Sequence, residues 1–265
     1  MPRLEIIARR PRHPRRGPRL LFVHGICVGA WIWDERFLPF FADAGFEAYA
    51  VSLRGHAGSG GHDRLSSWRL ADYTDDLDEA ARRIGGPLVV IGHSLGGAVV
   101  QDWVRTGGAA AGAALLASVP PWGLAASAWR MALTAPALFR EVTAMSLHGA
   151  AAADPEVMRR GLFSDDLPAA TFARFLPRVQ DESPLVGLKL QGWRPFAPLP
   201  WQMPPTLVLG GAADRFVPED EVWRTAAYYG TRPVIIPRLA HVVMLDPRWE
   251  EAARALLGWL EGLPG

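Results

Sequence analysis

The sequence of 265 residues is long enough for one large α/β domain with an insertion, and its 49% hydrophobic and 21% charged residues exclude extensive disorder. The 28 basic residues nearly balance the 27 acidic ones, so the net charge does not indicate a nucleic-acid partner. The single cysteine, Cys27, excludes an internal disulfide and a cysteine-based metal site, and no apolar run reaches the roughly 18 residues of a membrane span.

An arginine-rich stretch between Arg9 and Arg19 follows a first predicted strand at residues 4–8. It lacks the apolar segment that follows the basic residues of a secretory signal peptide. We interpret it as the solvated loop of a hairpin between that strand and the next one, rather than as a surface for an anionic partner. The protein is therefore expected to be cytoplasmic, with neither a nucleic-acid nor a membrane partner.

Strand and helix patterns alternate over the first half of the chain. Apolar runs predict strands at residues 19–24, 46–53 and 111–118, and a further strand in the run that begins at Val89. The spacing of apolar residues predicts helices at residues 31–44, 68–84 and 95–105. Such alternation is typical of a parallel sheet with crossover helices, which binds ligands at the carboxyl ends of its strands.

The alternation fails between Pro120 and Trp201, where prolines separate short helical pieces rich in Trp, Met, Leu and Phe. We interpret residues 120–201 as a helical lid over the strand ends, set into a core formed by residues 1–119 and 202–265. Residues 120–201 are called the insertion below. The alternation then resumes with predicted strands at residues 205–211 and 233–237 and predicted helices at residues 219–229 and 248–260.

The segment Gly92-His93-Ser94-Leu95-Gly96 lies between a predicted strand and a predicted helix. A serine in a Gly-x-Ser-x-Gly pattern occupies the sharp turn called a nucleophile elbow, which exposes its hydroxyl above the sheet. Glycine is needed on both sides because the turn brings backbone against backbone. The turn also leaves Ser94 at a helix N-terminus, where N–H groups favour developing negative charge. Ser94 is therefore the predicted nucleophile.

A serine hydroxyl needs a base that takes its proton. Of the seven histidines, His241 is the predicted base, because it follows the last predicted strand by a short loop and precedes the final predicted helix. The three histidines in the other loops of this sheet edge are expected to shape the backbone or to make structural hydrogen bonds: His24, His56 and His93.

The base in turn needs an acid that orients it. Asp214 follows a predicted strand directly and is the predicted acid. Asp246 is closer to His241 in the sequence, but a proline follows it, and this pattern is typical of a helix cap. His24, Ser94 and Asp214 all fall at the carboxyl end of a predicted strand, which favours one shared site at this edge of the sheet.

With this elbow and the chain order Ser94, Asp214, His241, the sequence resembles the α/β-hydrolase-fold proteins over nearly its whole length. The resemblance implies a mostly parallel central sheet flanked by helices, with a helical lid inserted after the sixth strand of the family's fold. It also implies an oxyanion hole made by two backbone N–H groups. These belong to Leu95, after the nucleophile, and to Ile26, after the His-Gly pair. Neither a metal nor an organic cofactor is implied.

The segment from His24 to Trp33 is similar to that of the plant methyl-esterase and hydroxynitrile-lyase branch, which shares the Gly-Ala-Trp and the second Trp. This similarity makes cyanohydrin cleavage a rival reaction, carried out by the same three residues Ser94, Asp214 and His241. The lyases have a threonine where this chain has Gly25, and a lysine after the catalytic histidine where this chain has Val242. Because no cation is expected beside His241 to stabilise departing cyanide, hydrolysis is favoured.

These features predict a serine hydrolase that acts on a carboxylic ester of a small or medium apolar substrate, with a lactone, thioester or amide as alternative substrates. Apolar side chains are expected to contact the substrate: Trp31, Trp122, Trp129, Phe139 and Val242. Three alternatives stay open on the same fold. They are cyanohydrin cleavage, a cofactor-free perhydrolase or oxygenase reaction, and a non-catalytic ligand receptor. The oligomeric state is also open.

Overall fold

The computed structural model describes residues 2–15, 17–192 and 195–263, and seven strands in these ranges form one sheet. The strands are β1 (Ile6–Arg9), β2 (Arg19–Val23), β3 (Ala48–Val51), β4 (Leu88–His93), β5 (Gly112–Leu116), β6 (Thr206–Gly211) and β7 (Pro233–Ile236). The core helices are α1 (Trp31–Asp34), α2 (Phe37–Asp43), α3 (Leu70–Ile84), α4 (Leu95–Arg105), α10 (Glu219–Tyr228) and α11 (Trp249–Glu261). The helices of the insertion are α5 (Ala125–Thr134), α6 (Pro136–His148), α7 (Pro155–Leu162), α8 (Ala169–Phe175) and α9 (Pro184–Lys189).

The strand order is β1-β3-β2-β4-β5-β6-β7, and every neighbouring pair described is parallel except β1 with β3. The α/β class with a mostly parallel sheet flanked by helices is therefore confirmed. The predicted hairpin between the first two strands is wrong, since β1 pairs with β3 (Ile6 opposite Val51) and not with β2. The arginine-rich segment therefore crosses from the edge of the sheet to an inner strand.

The sheet has an apolar layer on each face. Successive residues of β2 point to opposite sides, so that Leu20 and Phe22 join one apolar cluster while Leu21 and Val23 join the other. Helices α1, α2 and α11 cover the first face, and α3, α4 and α10 cover the second. Because both faces are covered, the strands are almost continuously apolar, as expected of a parallel sheet.

The element boundaries differ from the predicted ones mainly around residues 31–44. The predicted helix there is two helices, α1 and α2, because Arg36 leaves the helical region with φ −142° and ψ −51°. Both pieces still bury their apolar side chains, including Trp33 and Phe37. The predicted strand at residues 46–53 is also shorter, and only Ala48–Val51 pairs in the sheet.

The insertion lies between β5 and β6 in the chain, and all regular elements in its described part are helical. Proline is at the start of α6, α7 and α9, where its missing N–H costs no hydrogen bond. The strand before the insertion, expected as the family's sixth, is the fifth of the seven described here. None of the helices in the described ranges is both long enough and apolar enough to cross a membrane.

Candidate active site

Ser94 occupies a strained turn between β4 and α4, with φ 51° and ψ −116°. A non-glycine residue rarely adopts a positive φ, and such strain clusters at functional sites. A Cβ at Gly92 would overlap the carbonyl of Gly96, and a Cβ at Gly96 would overlap the carbonyl of Val23. The two glycines therefore let the elbow close against its own helix and against β2.

The three predicted catalytic side chains form one hydrogen-bonded series. His241 Nε2 is 3.1 Å from Ser94 Oγ, and His241 Nδ1 is 2.8 Å from Asp214 Oδ2. All three residues are buried. Since a carboxylate only accepts hydrogen bonds, Nδ1–H donates to Asp214, which leaves Nε2 free to accept from the serine hydroxyl.

Asp214, rather than Asp246, is the carboxylate that reaches His241. Its Oδ1 accepts hydrogen bonds from the backbone N–H groups of Phe216 (2.8 Å) and Val217 (3.0 Å), so the carboxylate is fixed by its own loop. Asp246 is fully buried and accepts from the backbone N–H groups of Arg248 (2.9 Å) and Ala240 (3.4 Å), not from the His241 ring. Asp214 is therefore the carboxylate in contact with His241 Nδ1, and its role as the orienting acid remains a proposal.

Two buried histidines hold the backbone around this series. His93 Nε2 donates to the carbonyl of His241 (2.9 Å), and burial, reinforced by the nearby His241, lowers the pKa of His93 to about 3. His24 Nδ1 donates to the carbonyl of Gly25 (2.7 Å), and its Nε2 accepts from the N–H of Leu53 (3.0 Å). Burial also lowers the pKa of His24 to about 3, so both rings are neutral near pH 7.

The two predicted oxyanion donors lie on either side of the elbow. Leu95 is the first residue of α4, so its N–H is one of the first four N–H groups of the helix, which have no intrahelical acceptor. Ile26 follows Gly25, whose Cα lies so close to the elbow that an added Cβ would be 3.3 Å from Ser94 Cβ. The loop at residues 24–30 and the start of α4 therefore both face the serine.

The insertion contacts the loop that carries His241. The N–H of Val242 donates to the carbonyl of Leu162 at the end of α7 (3.0 Å). Arg248 forms two hydrogen bonds with the carboxylate of Asp166, at 2.6 and 2.9 Å. The position of His241 thus depends on the insertion as well as on the core.

The predicted substrate contacts are spread over different environments. Val242 is buried directly after His241. Trp31 is buried against Phe175 and under the guanidinium of Arg178, beside a cleft whose lining does not include the three site residues. Trp122 donates from Nε1 to Glu221 of α10 (2.9 Å). The two remaining aromatic residues are exposed, 72% for Trp129 and 37% for Phe139, so neither is placed in an enclosed cavity.

Phe216 was not anticipated from the sequence. Its ring lies over His241 with centroids 5.0 Å apart and an interplanar angle of 30°, so it covers one face of the imidazole. Its position two residues after Asp214 was the available signal, because an aspartate often accepts from the N–H two residues further on.

Residues 20–255 match the family model described as the Alpha/beta hydrolase family. The match covers most of the chain and agrees with the parallel sheet and with the serine elbow between β4 and α4. The chain belongs to the α/β hydrolase family.

Individual relatives are more distant. The curated protein named "Probable esterase PIR7A", from Oryza sativa subsp. indica, is 38% identical over 87 residues, which is 31% of each chain. The chain spans less than a third of the length of the curated relatives it matches. A thermophilic esterase from Thermogutta terrifontis has a TM-score of 0.75 at 22% identity, covering 99% of this chain and 94% of that one. A bromoperoxidase from Bacillus anthracis has a TM-score of 0.72 at 16% identity, covering 98% and 96%. At such identities these two structures show a shared fold.

Proposed function

We propose that the protein is a serine hydrolase that cleaves carboxylic esters through an acyl-enzyme on Ser94. The observation that carries the proposal is the hydrogen-bonded series from Ser94 through His241 to Asp214, with Ser94 on a strained turn. A nucleophile, a base and an orienting acid within hydrogen-bond distance are what acyl transfer by serine requires. The similarity to proteins named as esterases supports the same reaction.

In the first half of the reaction, Ser94 Oγ attacks the acyl carbon while His241 Nε2 takes the hydroxyl proton. The negative charge that develops on the carbonyl oxygen is stabilised by the N–H groups of Ile26 and Leu95. His241 then gives the proton to the departing alkoxide, which leaves as the alcohol. Asp214 holds the imidazolium in place and stabilises it.

In the second half, water attacks the acyl-enzyme and His241 takes a proton from that water. The tetrahedral intermediate collapses to the carboxylic acid and Ser94 recovers its proton from His241. A partly exposed apolar side chain, Phe216, lies against the imidazole of His241. It supports a small or medium apolar ester as the substrate.

The test compares hydrolysis of p-nitrophenyl butyrate by the wild-type protein and by Ser94→Ala. We expect kcat to fall by about 10⁴-fold or more, because the nucleophile of such a triad carries most of its rate acceleration. A matched control is Ser127→Ala, which changes another buried serine, in α5, and should leave kcat unchanged. Equal turnover by wild type and Ser94→Ala would overturn the proposal.

Cyanohydrin cleavage is disfavoured by the surroundings of Gly25 and Val242. A Cβ at Gly25 would lie 2.8 Å from Nδ1 of His93, so the threonine of the lyases does not fit without displacing that ring. Val242 is apolar and buried, and it supplies no cation beside His241. The wild-type protein should therefore release no cyanide from mandelonitrile above the buffer blank. Cyanide release that rivals ester turnover would favour the lyase.

A further inference from the structure

Gln180, in the segment between α8 and α9, connects the insertion to two loops of the core. Its N–H donates to the carbonyl of Cys27 at 2.9 Å. Its side-chain Oε1 accepts from the N–H of Ala57 (2.8 Å), and its Nε2 donates to the carbonyl of Gly55 (2.7 Å). One residue thus makes three hydrogen bonds to backbone groups of the core.

Two of these partners have an uncommon backbone conformation. Cys27 has φ 63° and Ala57 has φ 45°, which is the left-handed region that residues with a Cβ seldom adopt. Strained positions of this kind persist when their surroundings hold them. The two loops also touch, because a Cβ at Gly29 would overlap the Cβ of Ala57. Gln180 therefore restrains two strained loops that support each other.

The loop that carries Cys27 also carries the proposed oxyanion donor. On one side of the Ile26 amide, the carbonyl of Gly25 accepts from His24 Nδ1 (2.7 Å). On the other side, the carbonyl of Cys27 accepts from Gln180. The peptide unit of the Ile26 N–H is thus held directly by His24. Gln180 restrains the next residue, Cys27, through its backbone N–H, and restrains the supporting loop at Gly55 and Ala57 through its side chain.

The segment around Gln180 is itself firmly attached. Glu182 is bonded to His56 Nε2 (3.1 Å) and to the hydroxyl of Tyr73 (2.6 Å), and Ser183 Oγ donates to the carbonyl of Trp68 (2.6 Å). These three partners belong to the core, and all of them are buried. Because residues 182 and 183 are bonded to the core, the position of Gln180 relative to the two loops is also restrained.

We infer that Gln180 is a positioning residue for the oxyanion hole, through which the insertion aligns the N–H of Ile26 with the acyl oxygen. The inference rests on the proposed function. If it holds, the loss of the Gln180 side chain weakens binding of the transition state more than binding of the ester, because the donor faces charge that develops only during the reaction.

The test uses two variants of similar size to glutamine. Both variants keep the backbone N–H bond to Cys27 and change only the contacts with the supporting loop. Gln180→Met removes both side-chain hydrogen bonds, and Gln180→Glu keeps an acceptor for Ala57 but puts an oxygen against the carbonyl of Gly55. We expect kcat/KM for p-nitrophenyl butyrate to fall about 10-fold with KM nearly unchanged, less than the 10²–10³-fold loss typical of a missing oxyanion donor. Affinity for a trifluoromethyl ketone, which forms an oxyanion, should fall by the same factor. Affinity for the matching methyl ketone should not.

A matched control is Gln191→Met in the same insertion, which should leave all three quantities unchanged. Each variant is assayed well below its own Tm, so that a loss of stability does not lower the rate. An equal loss of affinity for both ketones, or a rise in KM alone, would overturn the positioning role.

Hydrogen exchange separates this inference from the proposed function. Residues 24–30 and 54–58 should exchange faster in Gln180→Met than in wild type, and unchanged exchange there would overturn the inference even if ester turnover depends on Ser94. If turnover does not depend on Ser94, the proposed function fails, while the exchange data still decide whether Gln180 holds the loop.

Discussion

The core edge that carries Ser94 and the insertion that lies beside it are built in different ways. In the core, close backbone contacts fix the reacting groups, as at Gly92 and Gly96, where a Cβ would meet another residue's carbonyl. The α-helices in the described part of the insertion are short, with 6 to 13 residues, and they expose large apolar side chains such as Leu133, which is 77% exposed. The insertion contacts the loops around the candidate site through a few polar contacts, including those of Gln180. The core therefore fixes the candidate catalytic residues by close packing, and the insertion contacts their loops at specific points.

The largest expected effect lies in the core. Asp214→Asn should lower kcat by about 10⁴-fold with little change in KM, because the amide holds His241 in the wrong tautomer. Asp246→Asn is the matched control. It should lower stability, since Asp246 is buried and bonded to Arg248, and keep most of the turnover. Kinetic constants of both variants check this, and the reverse ranking would show that Asp246 is the orienting acid.

The second prediction compares one glycine from each region. Gly96→Ala should destabilise the protein by about 3 kcal/mol or more, since its Cβ overlaps the Val23 carbonyl and overpacking of this kind costs 1–3 kcal/mol even where neighbours adjust. Gly187→Ala, inside α9 with nothing within 4 Å of its Cβ, should instead stabilise by roughly 0.5–1 kcal/mol. Urea unfolding of both variants measures the difference, and equal destabilisation would contradict the contrast between the two regions.

This contrast also explains what the sequence could predict. The strands of the core were predictable from continuous apolar runs, because both faces of the sheet are covered, and the helices from the 3.6-residue spacing of their apolar residues. The elbow was predictable because only glycine fits at positions 92 and 96. The division of the predicted helix into α1 and α2 was not predictable. Both pieces bury the same apolar face, so the break at Arg36 does not change the spacing of the apolar residues.

The contacts of the insertion were much harder to predict. The sequence indicated short helical pieces between prolines, but nothing distinguishes Gln180 from any other glutamine in a polar loop. Its role depends on which loops lie opposite in space. The exposure of Trp129 could not be predicted for a similar reason, since the apolar residues of a short helix do not indicate which of its faces packs against the rest of the protein.

The third prediction concerns pH and the ion pair of Glu182 with His56. Burial opposes both charges, but the Glu182 carboxylate outweighs it and raises the pKa of His56 above 6.5, while His56 and Tyr73 lower the pKa of Glu182 below 4.5. The imidazolium donates from both nitrogens, to Glu182 and to the carbonyl of Arg54 (3.1 Å). The contribution of protonated His56 to folding stability is complete below pH 6.5 and is lost as the pH rises through the raised pKa of His56. The contribution of the Glu182 carboxylate to folding stability is complete above pH 4.5 and is lost as the pH falls through the lowered pKa of Glu182.

The Tm difference between wild type and Glu182→Gln should therefore be largest between about pH 4.5 and 6.5 and shrink at higher pH. Comparing the two proteins at each pH cancels the contributions of the other titrating groups. A difference that stays constant from pH 5 to pH 9 would show that the pair is not ionic.

The smallest expected effect is at the surface of the insertion. Trp129→Gln should change the free energy of unfolding by less than about 0.5 kcal/mol and leave KM unchanged, because the side chain is 72% exposed. Steady-state kinetics with esters of increasing acyl length check this. A severalfold rise in KM for the longer esters would instead restore Trp129 as a substrate contact.

The central claim is that Ser94 is the activated nucleophile. The most direct test is to identify the residue that a reagent for activated serines modifies. The protein is treated with a fluorophosphonate, and the adduct is counted by intact mass and located by peptide mapping. We predict one adduct per chain, on Ser94, with complete loss of ester turnover and no adduct in Ser94→Ala. An adduct on another residue with Ser94 unmodified, or full turnover after Ser94 is labelled, would contradict the account.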